Sequence, residues 1–563
     1  MTRIPAILSC VLLFTLAASG APTVQLGKTA VVGRSLSTFG QEFFGGIPYA
    51  KPPLGDLRFR PPVLTTSLNE TTLDAAQFGA SCIQGPSDNS PAGLPSGFPV
   101  SEDCLTINII RPAGVNSTSK LPVMFWTYGG GLIYGASVIY NGSAIVEQSV
   151  IRGTPVIFVN FNYRLGPFGF PQGQEATDQG ALNLGIKDQI AALEWVQKNI
   201  GKFGGDKRKV LVFGESAGSI LTSILFLNSR VEKLARAAAR RYEPPQKIFE
   251  SGWQATLPIV PATSRENLWT NFVGGVTSCA SLAGTHSTFS CLRNATTQEL
   301  LDSFNAAFAG SAEPYPWDPV IDGPQGLIPD LPSRLLAQGK FSRVPFIAGT
   351  NLDEGTYFTS QSQSLNSTAA VNASFISKRL PSDSPAVFQS SVTELLKLYP
   401  DVPALGSPYG TGNNTFGLGS QFKRAAAIDG DLDFHSQRRL WIEAAANAGV
   451  KTFGYLFTQP QPDDLPQLGV MHGSEIPYVF GAPADTSPSS VAISRIMIDY
   501  WVSFATSLTP NDGLGTPRAE WTPFTPTSKS LIQLNGANLT MIPDNYREEQ
   551  IFFFNSNLEI WCH

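Results

Sequence analysis

The fold class this sequence predicts is α/β, a mostly parallel sheet flanked by helices, and three observations predict it. Short apolar runs of strand length alternate with stretches of helical period through the middle of the chain. A Gly-x-Ser-x-Gly turn stands between one such run and one such helix. Of the 563 residues 42% are apolar and only 15% charged, which is ample material for a large core.

The chain opens with Arg3, an apolar run from Ile4 to Ala18, and the small residues Ala18, Ser19 and Gly20 before Ala21. That is the pattern of an export signal over residues 1–20, too short to serve as a stable membrane anchor. Residues 21–563 read as a single domain with insertions. Pro122–Trp126, Val156–Phe161, Val210–Phe213 and Val344–Ala348 are the predicted buried strands. Asp188–Ile200 and Ser219–Leu227 have helical period, the first with Ile190, Leu193, Trp195 and Val196 on one side. The apolar stretch Val123 to Tyr140 contains three consecutive glycines and reads as a strand followed by a loop, not as a membrane span. The stretch Gly85 to Pro99 reads as a loop within the domain.

Charge excludes one class of function. The net charge is -5, and the basic cluster Arg236 to Arg241 reads as a solvated helix face, so nucleic-acid binding is not expected. No Cys/His cluster has metal spacing, and neither a metal nor an organic cofactor is expected. Export fits the cysteines. Cys10 leaves with the signal, and Cys82, Cys104, Cys279, Cys291 and Cys562 remain. Pairing them in order closes two short loops and leaves Cys562 odd, as a free thiol or a bridge to another chain; sequence alone does not fix the connectivity. Asn69, Asn116, Asn141, Asn294, Asn366, Asn372, Asn413 and Asn538 stand in Asn-x-Ser/Thr sequons, expected as glycosylated surface loops.

The chemistry gathers at the Gly214-Glu-Ser216-Ala-Gly218 turn. A serine at such a strand–turn–helix corner is held out at a helix head, whose dipole favours negative charge there. An alkoxide formed from an acyl substrate needs N–H donors. Gly130 and Gly131, in the Tyr128-Gly-Gly-Gly131 run after a strand, let backbone amides approach without a Cβ, and Ala217 follows the serine. The base must be a histidine, and the chain has four. His286 lies inside the Cys279–Cys291 interval, and His563 is the last residue and expected to be frayed. His435 lies in a stretch that looks helical. His472, in Gly469-Val-Met-His472-Gly, comes late enough in the order nucleophile, acid, base. Glu354, after the Val344–Ala348 strand, is the acid expected to orient it, with Asp353 as runner-up.

Several motifs in order resemble the type-B carboxylesterase/lipase family, which includes cholinesterases and secreted fungal lipases. They are Phe44-Gly-Gly-Ile-Pro-Tyr-Ala50, Ser101-Glu-Asp-Cys104-Leu-Thr-Ile-Asn108, Asn162-Tyr-Arg164, Asn183-Leu-Gly-Ile-Lys-Asp188 and Phe203-Gly-Gly-Asp206, leading into the elbow. The resemblance implies the α/β-hydrolase fold and a secreted serine hydrolase of carboxylic esters. It implies a Ser216, Glu354 and His472 triad with an acyl-enzyme intermediate, and oxyanion donors at Gly130, Gly131 and Ala217. It also implies disulfides Cys82–Cys104 and Cys279–Cys291, and a structural salt bridge between Glu102 and Arg164. Activity is expected to fall on acidification, as His472 takes a proton. Leu132 stands where relatives often carry Phe. The Cys82–Cys104 loop is polar and lacks the Trp whose ring face would bind a choline head, so cholinesterase activity is not implied. The expected partner is a small-molecule or lipid ester; triglycerides, sterol or carotenoid esters and hydroxycinnamoyl esters all fit, and the oligomeric state is open. The other class considered, a non-catalytic adhesion domain of the same fold, would lack triad residues that all stand here.

Overall fold

The structure is a computed structural model that describes residues 20–85, 93–227, 246–379 and 384–563. The expected export signal, apart from Gly20, and the basic cluster at 236–241 lie outside the described residues, as do residues 86–92 of the first cysteine loop.

Among the described residues the strands of the main sheet are β1 (Arg34–Leu36), β2 (Gln41–Pro48), β3 (Thr106–Pro112), β4 (Leu121–Thr127), β5 (Ile157–Phe161), β6 (Gly205–Glu215), β7 (Gln246–Glu250), β8 (Phe346–Asn351), β9 (Thr452–Phe457), β10 (Ser530–Leu534) and β11 (Thr540–Pro543). Their spatial order is β11-β10-β9-β8-β7-β6-β4-β5-β3-β2-β1. Every pairing from β5 through β4, β6, β7, β8 and β9 to β10 is parallel, and the edges are antiparallel. All six residues of β8 and of β9 are buried. Helices cover both faces of a parallel sheet, which is why these strands read in the sequence as unbroken apolar runs.

The helices α1 (Leu184–Asn199), α2 (Ala217–Ile224), α3 (Phe422–Gly430), α4 (Ser436–Asn447) and α5 (Pro488–Ser507) position the functional region. α2 starts two residues before the stretch read as helical and is buried throughout. Aromatic rings fill the space between layers: Phe125 stacks on Phe161 at 4.8 Å, and Trp126 meets Phe213 at 4.9 Å and Phe480 at 5.0 Å. No helix among the described residues is long and apolar enough to cross a membrane.

Disulfides join Cys82 to Cys104 and Cys279 to Cys291, while Cys562 is buried outside both. The expected Glu102–Arg164 bridge does not form. Arg164 instead holds Asp188 of α1 through Nη2 at 2.6 Å and Nε at 2.8 Å, because Asp188 faces it from the first turns of that helix. Glu102 takes Arg58 in a bidentate grip, 2.7 Å from both Nε and Nη2. The remaining Nη1 of Arg58 reaches the carbonyls of Leu292 and Ala295 at 2.8 and 2.7 Å, tying the first disulfide loop to the segment that follows the second. His563 is not frayed: it is fully buried, its ring against Gln437 and its carbonyl accepting from Ser333. Seven sequon asparagines are exposed, but Asn372 is half-buried on the helix Thr368–Ser377, and Asn294 ends the helix Phe289–Asn294.

Removing one partner of a buried ion pair leaves an uncompensated charge. Glu102→Ala should therefore lower unfolding free energy by about 3–5 kcal/mol. Lys397→Ala, which breaks the exposed Lys397–Glu394 pair, should change it by less than about 1 kcal/mol in the same urea titration.

Candidate active site

Ser216 sits where β6 ends and α2 begins. Its φ of 52° and ψ of -128° are a backbone conformation that side-chain-bearing residues rarely adopt, at a strain of about 1–3 kcal/mol. Neighbouring backbone pins it. The Ser216 amide donates to the carbonyl of Glu250 at the end of β7, at 2.9 Å, and the Ser216 carbonyl accepts from Ile220 in α2 at 2.9 Å. Gly218 is needed for the close approach of α2 to β4, since a Cβ there would lie 2.0 Å from the carbonyl oxygen of Thr127.

The glycine run follows β4 directly. Ile133 and Tyr134 both donate to the Gly130 carbonyl at 3.2 Å, closing a tight turn. Gly131 adopts φ of 58°, and a Cβ there would strike the Tyr315 ring at 2.2 Å. The amides of Gly130, Gly131 and Ala217 donate to no acceptor among the described residues. Gly131, Ser216 and Ala217 line one cleft. Leu132 turns into the core with φ of 62° and no exposed surface, so the wall beside the glycines is Tyr315.

His472 lies on the loop after β9. Its Nδ1 is 2.6 Å from Oε2 of Glu354, whose Oε1 accepts the amide of Asn351 at 2.7 Å. Phe358 and Phe434 flank the imidazole, with ring centroids 4.9 and 4.6 Å away. Phe434 comes from a π-helical turn, Asp431–His435, between α3 and α4. Nε2 of His472 makes no hydrogen bond among the described residues, to Ser216 or any other group; it lies 3.2 Å from Oε1 of Glu215. Asp353, the neighbouring acid, does not reach the ring. It accepts from Ser407 Oγ at 2.8 Å, the Tyr409 amide at 2.9 Å and the Val470 amide at 3.0 Å, and so anchors the histidine loop. His435 is buried against Thr350 and Tyr546, where burial and then Arg547 hold its ring well below the usual imidazole range.

Three further glutamates surround this pair, and the sequence reading passed over all of them. Burial, reinforced by the charges of Glu475, Glu354 and Glu250, holds the Glu215 carboxyl well above the usual carboxylate range. Burial does the same to Glu250, helped by Glu475 and opposed by a 2.6 Å bond from Trp501 Nε1 of α5. Glu475 is pushed up to about 7 by burial and by the charge of Glu354, with Asn351 Nδ2 opposing as donor. Glu215 is the variable residue of the Gly-x-Ser-x-Gly turn, so its place was legible; nothing local marks Glu250 or Glu475. Among the described residues no group of His, Cys, Asp and Glu side chains is arranged to hold a metal ion.

The arrangement offers a strained serine, an imidazole oriented by a carboxylate, and unengaged amides beside one cleft. Comparison with known proteins agrees with that chemistry. Residues 20–554 match the carboxylesterase family. The chain is 33% identical to Lipase 2 of Geotrichum candidum, over 92% of each chain. It is 33% identical to Secreted lipase 1 of Botryotinia fuckeliana, over 96% of this chain and 94% of that one. Among solved structures it resembles EstA of Aspergillus niger, with a TM-score of 0.80 and 25% identity over 96% of this chain and 99% of that one. The chain belongs to the carboxylesterase family: it has the α/β-hydrolase fold and is a carboxylic-ester hydrolase.

Proposed function

We propose that Ser216 is the nucleophile of a two-step acyl transfer, with His472 as general base and acid and Glu354 as the group that orients it. Ser216 Oγ attacks the ester carbonyl carbon while His472 Nε2 takes its proton. The alkoxide is held by the amides of Gly130, Gly131 and Ala217. His472 then returns the proton to the leaving alcohol, and water activated by the same ring frees the acid from Ser216. The observation that carries this reading is the 2.6 Å contact of Nδ1 with Glu354, which directs the other ring nitrogen toward the turn bearing Ser216. A bond from Ser216 to Nε2 forms in the reacting complex, as such bonds often tighten only there.

The substrate in this reading is an ester with apolar groups beside the reacting carbonyl, since Ile220, Leu257, Phe358 and Phe434 share the cleft with Ser216. We also infer that the chain is exported and N-glycosylated. The pattern of residues 1–20, the exposed sequons and relatives named as secreted lipases support this.

An organophosphonate should label the peptide containing Ser216, read by mass spectrometry. Ser216→Ala should lower kcat on p-nitrophenyl esters by about 10⁴-fold or more. The two neighbouring acids separate by role: Glu354→Gln should lower kcat by roughly 10³–10⁴-fold, whereas Asp353→Asn, which disturbs only the loop anchor, should cost about tenfold or less. Equal losses would refute the assignment of Glu354.

The buried carboxyls also predict a stability profile. In the folded chain Glu475 keeps its proton up to about 7, above the 4.5 of a free glutamate. Its contribution to stability is therefore fully present below about 4.5 and is lost as pH rises through about 7. Gln cannot ionise, so the Tm of Glu475→Gln relative to wild type should climb between those values in a calorimetric pH series.

A further inference from the structure

The cleft beside Ser216 has a second, charged part that acyl transfer does not use. Glu313, Asp318, Lys378, Arg379, Asp429 and Asp433 all contribute to its wall. Four of these satisfy one another. Arg379 holds Asp433 at 2.7 Å, and Asp429 lies 3.6 Å from both Lys378 and Arg379. Two cations thus face two carboxylates, and this group calls for no charged ligand.

Asp318 differs. It is 2% exposed, and its Oδ2 accepts from Arg265 Nη2 at 3.1 Å. Its Oδ1 is buried with no hydrogen-bond partner among the described residues. The same Arg265 gives its Nε and Nη2 to Glu313 at 3.1 and 2.8 Å, so it is already shared. A buried carboxyl oxygen left unpaired is costly, and on a residue that lines the cleft it is a binding group waiting for its partner.

The chemistry of that partner follows from the carboxyl. Burial, with Glu313 adding and Arg265 opposing, pushes Asp318 up to about 8, so near neutrality it can present either an O–H or a lone pair. A hydroxyl, which both donates and accepts, complements either form. A hydrocarbon tail complements neither and would leave the oxygen unpaired.

We propose that Asp318 is a specificity-determining residue that hydrogen-bonds a hydroxyl remote from the scissile bond, so that the enzyme prefers hydroxylated esters to hydrocarbon esters of the same length. The proposal rests on the reading that esters react at Ser216 in this cleft.

The test uses the full chain and matched pairs. One series is p-nitrophenyl esters of n-alkanoic and ω-hydroxyalkanoic acids from C4 to C12; the other is butyrate esters of n-alkanols and of the corresponding α,ω-diols. Each rate is referred to the same protein's turnover of p-nitrophenyl acetate. At least one hydroxylated member should exceed its partner in kcat/KM by about tenfold or more. Asp318→Leu should bring that ratio to within about twofold of one, while Asp318→Asn, which keeps an acceptor and a donor, should retain most of it. A ratio near one for every wild-type pair overturns the proposal whatever the Leu variant does, and so does a preference that survives Asp318→Leu. Failure of ester hydrolysis itself would show separately, as loss of turnover on p-nitrophenyl acetate.

Discussion

The conformation of Ser216 is the constraint on which the site depends. A serine at φ of 52° is strained, and it persists because both sides of the turn are fixed independently. β6 is held between β4 and β7 by parallel pairing, and α2 is buried along its whole length. The two can join only by a sharp reversal, and Gly218 lets that reversal close against Thr127. The turn places the Ala217 amide at a helix head and sets the glycine run after β4 beside it. Position along the sheet, the serine hydroxyl and the amide cradle are thus consequences of one backbone angle.

Behind the turn lies the second constraint, a layer of buried carboxyls. Four ionised glutamates, Glu215, Glu250, Glu354 and Glu475, could not share so small a volume. The structure resolves this by unequal environments. Glu354 engages His472 and the Asn351 amide, while Glu215 and Glu250 are held toward their neutral forms. Asn351 links two of the group, giving its amide to Glu354 and its side chain to Glu475 and to the carbonyl of Met471, next to the histidine. The position of the imidazole therefore depends on β7, β8 and α5 as well as on its own loop.

Much of this was legible in the sequence, and the gaps have physical causes. Apolar runs marked the central strands because a parallel sheet covered on both faces leaves no polar alternation. Spacing and order singled out Ser216 and His472. Of two adjacent acids that follow the same strand, the sequence reading preferred Glu354 and kept Asp353 as runner-up. What separates them is that Asp353 is capped by donors from residues 407, 409 and 470, all distant in the chain. The partner of Glu102 was misread for the same reason: only the packing of α1 decides that Arg164 meets Asp188, and only tertiary structure brings Arg58 to Glu102. His563 looked free because it is terminal, yet tertiary contacts with Ser333 and Gln437 bury it. Asp318 carried no local signal at all; its meaning lies in an oxygen that folding leaves without a partner.

These features bear on how the proposed base reaches the proposed nucleophile. The ring of His472 is fixed at Nδ1 by Glu354 and on its faces by Phe358 and Phe434. What stays free is Nε2, near a Glu215 carboxyl that burial keeps toward its neutral form. A fully charged Glu215 would hold a protonated ring away from the serine and oppose return of the proton to the leaving group. A neutral one binds it only weakly. Glu215 and Ser216 are consecutive in the chain, so the exchange of one contact for the other falls to side-chain torsions and leaves the strained turn intact. Burial of Glu215 thus leaves Nε2 of the proposed base uncommitted, one residue away from the strained serine proposed as its partner.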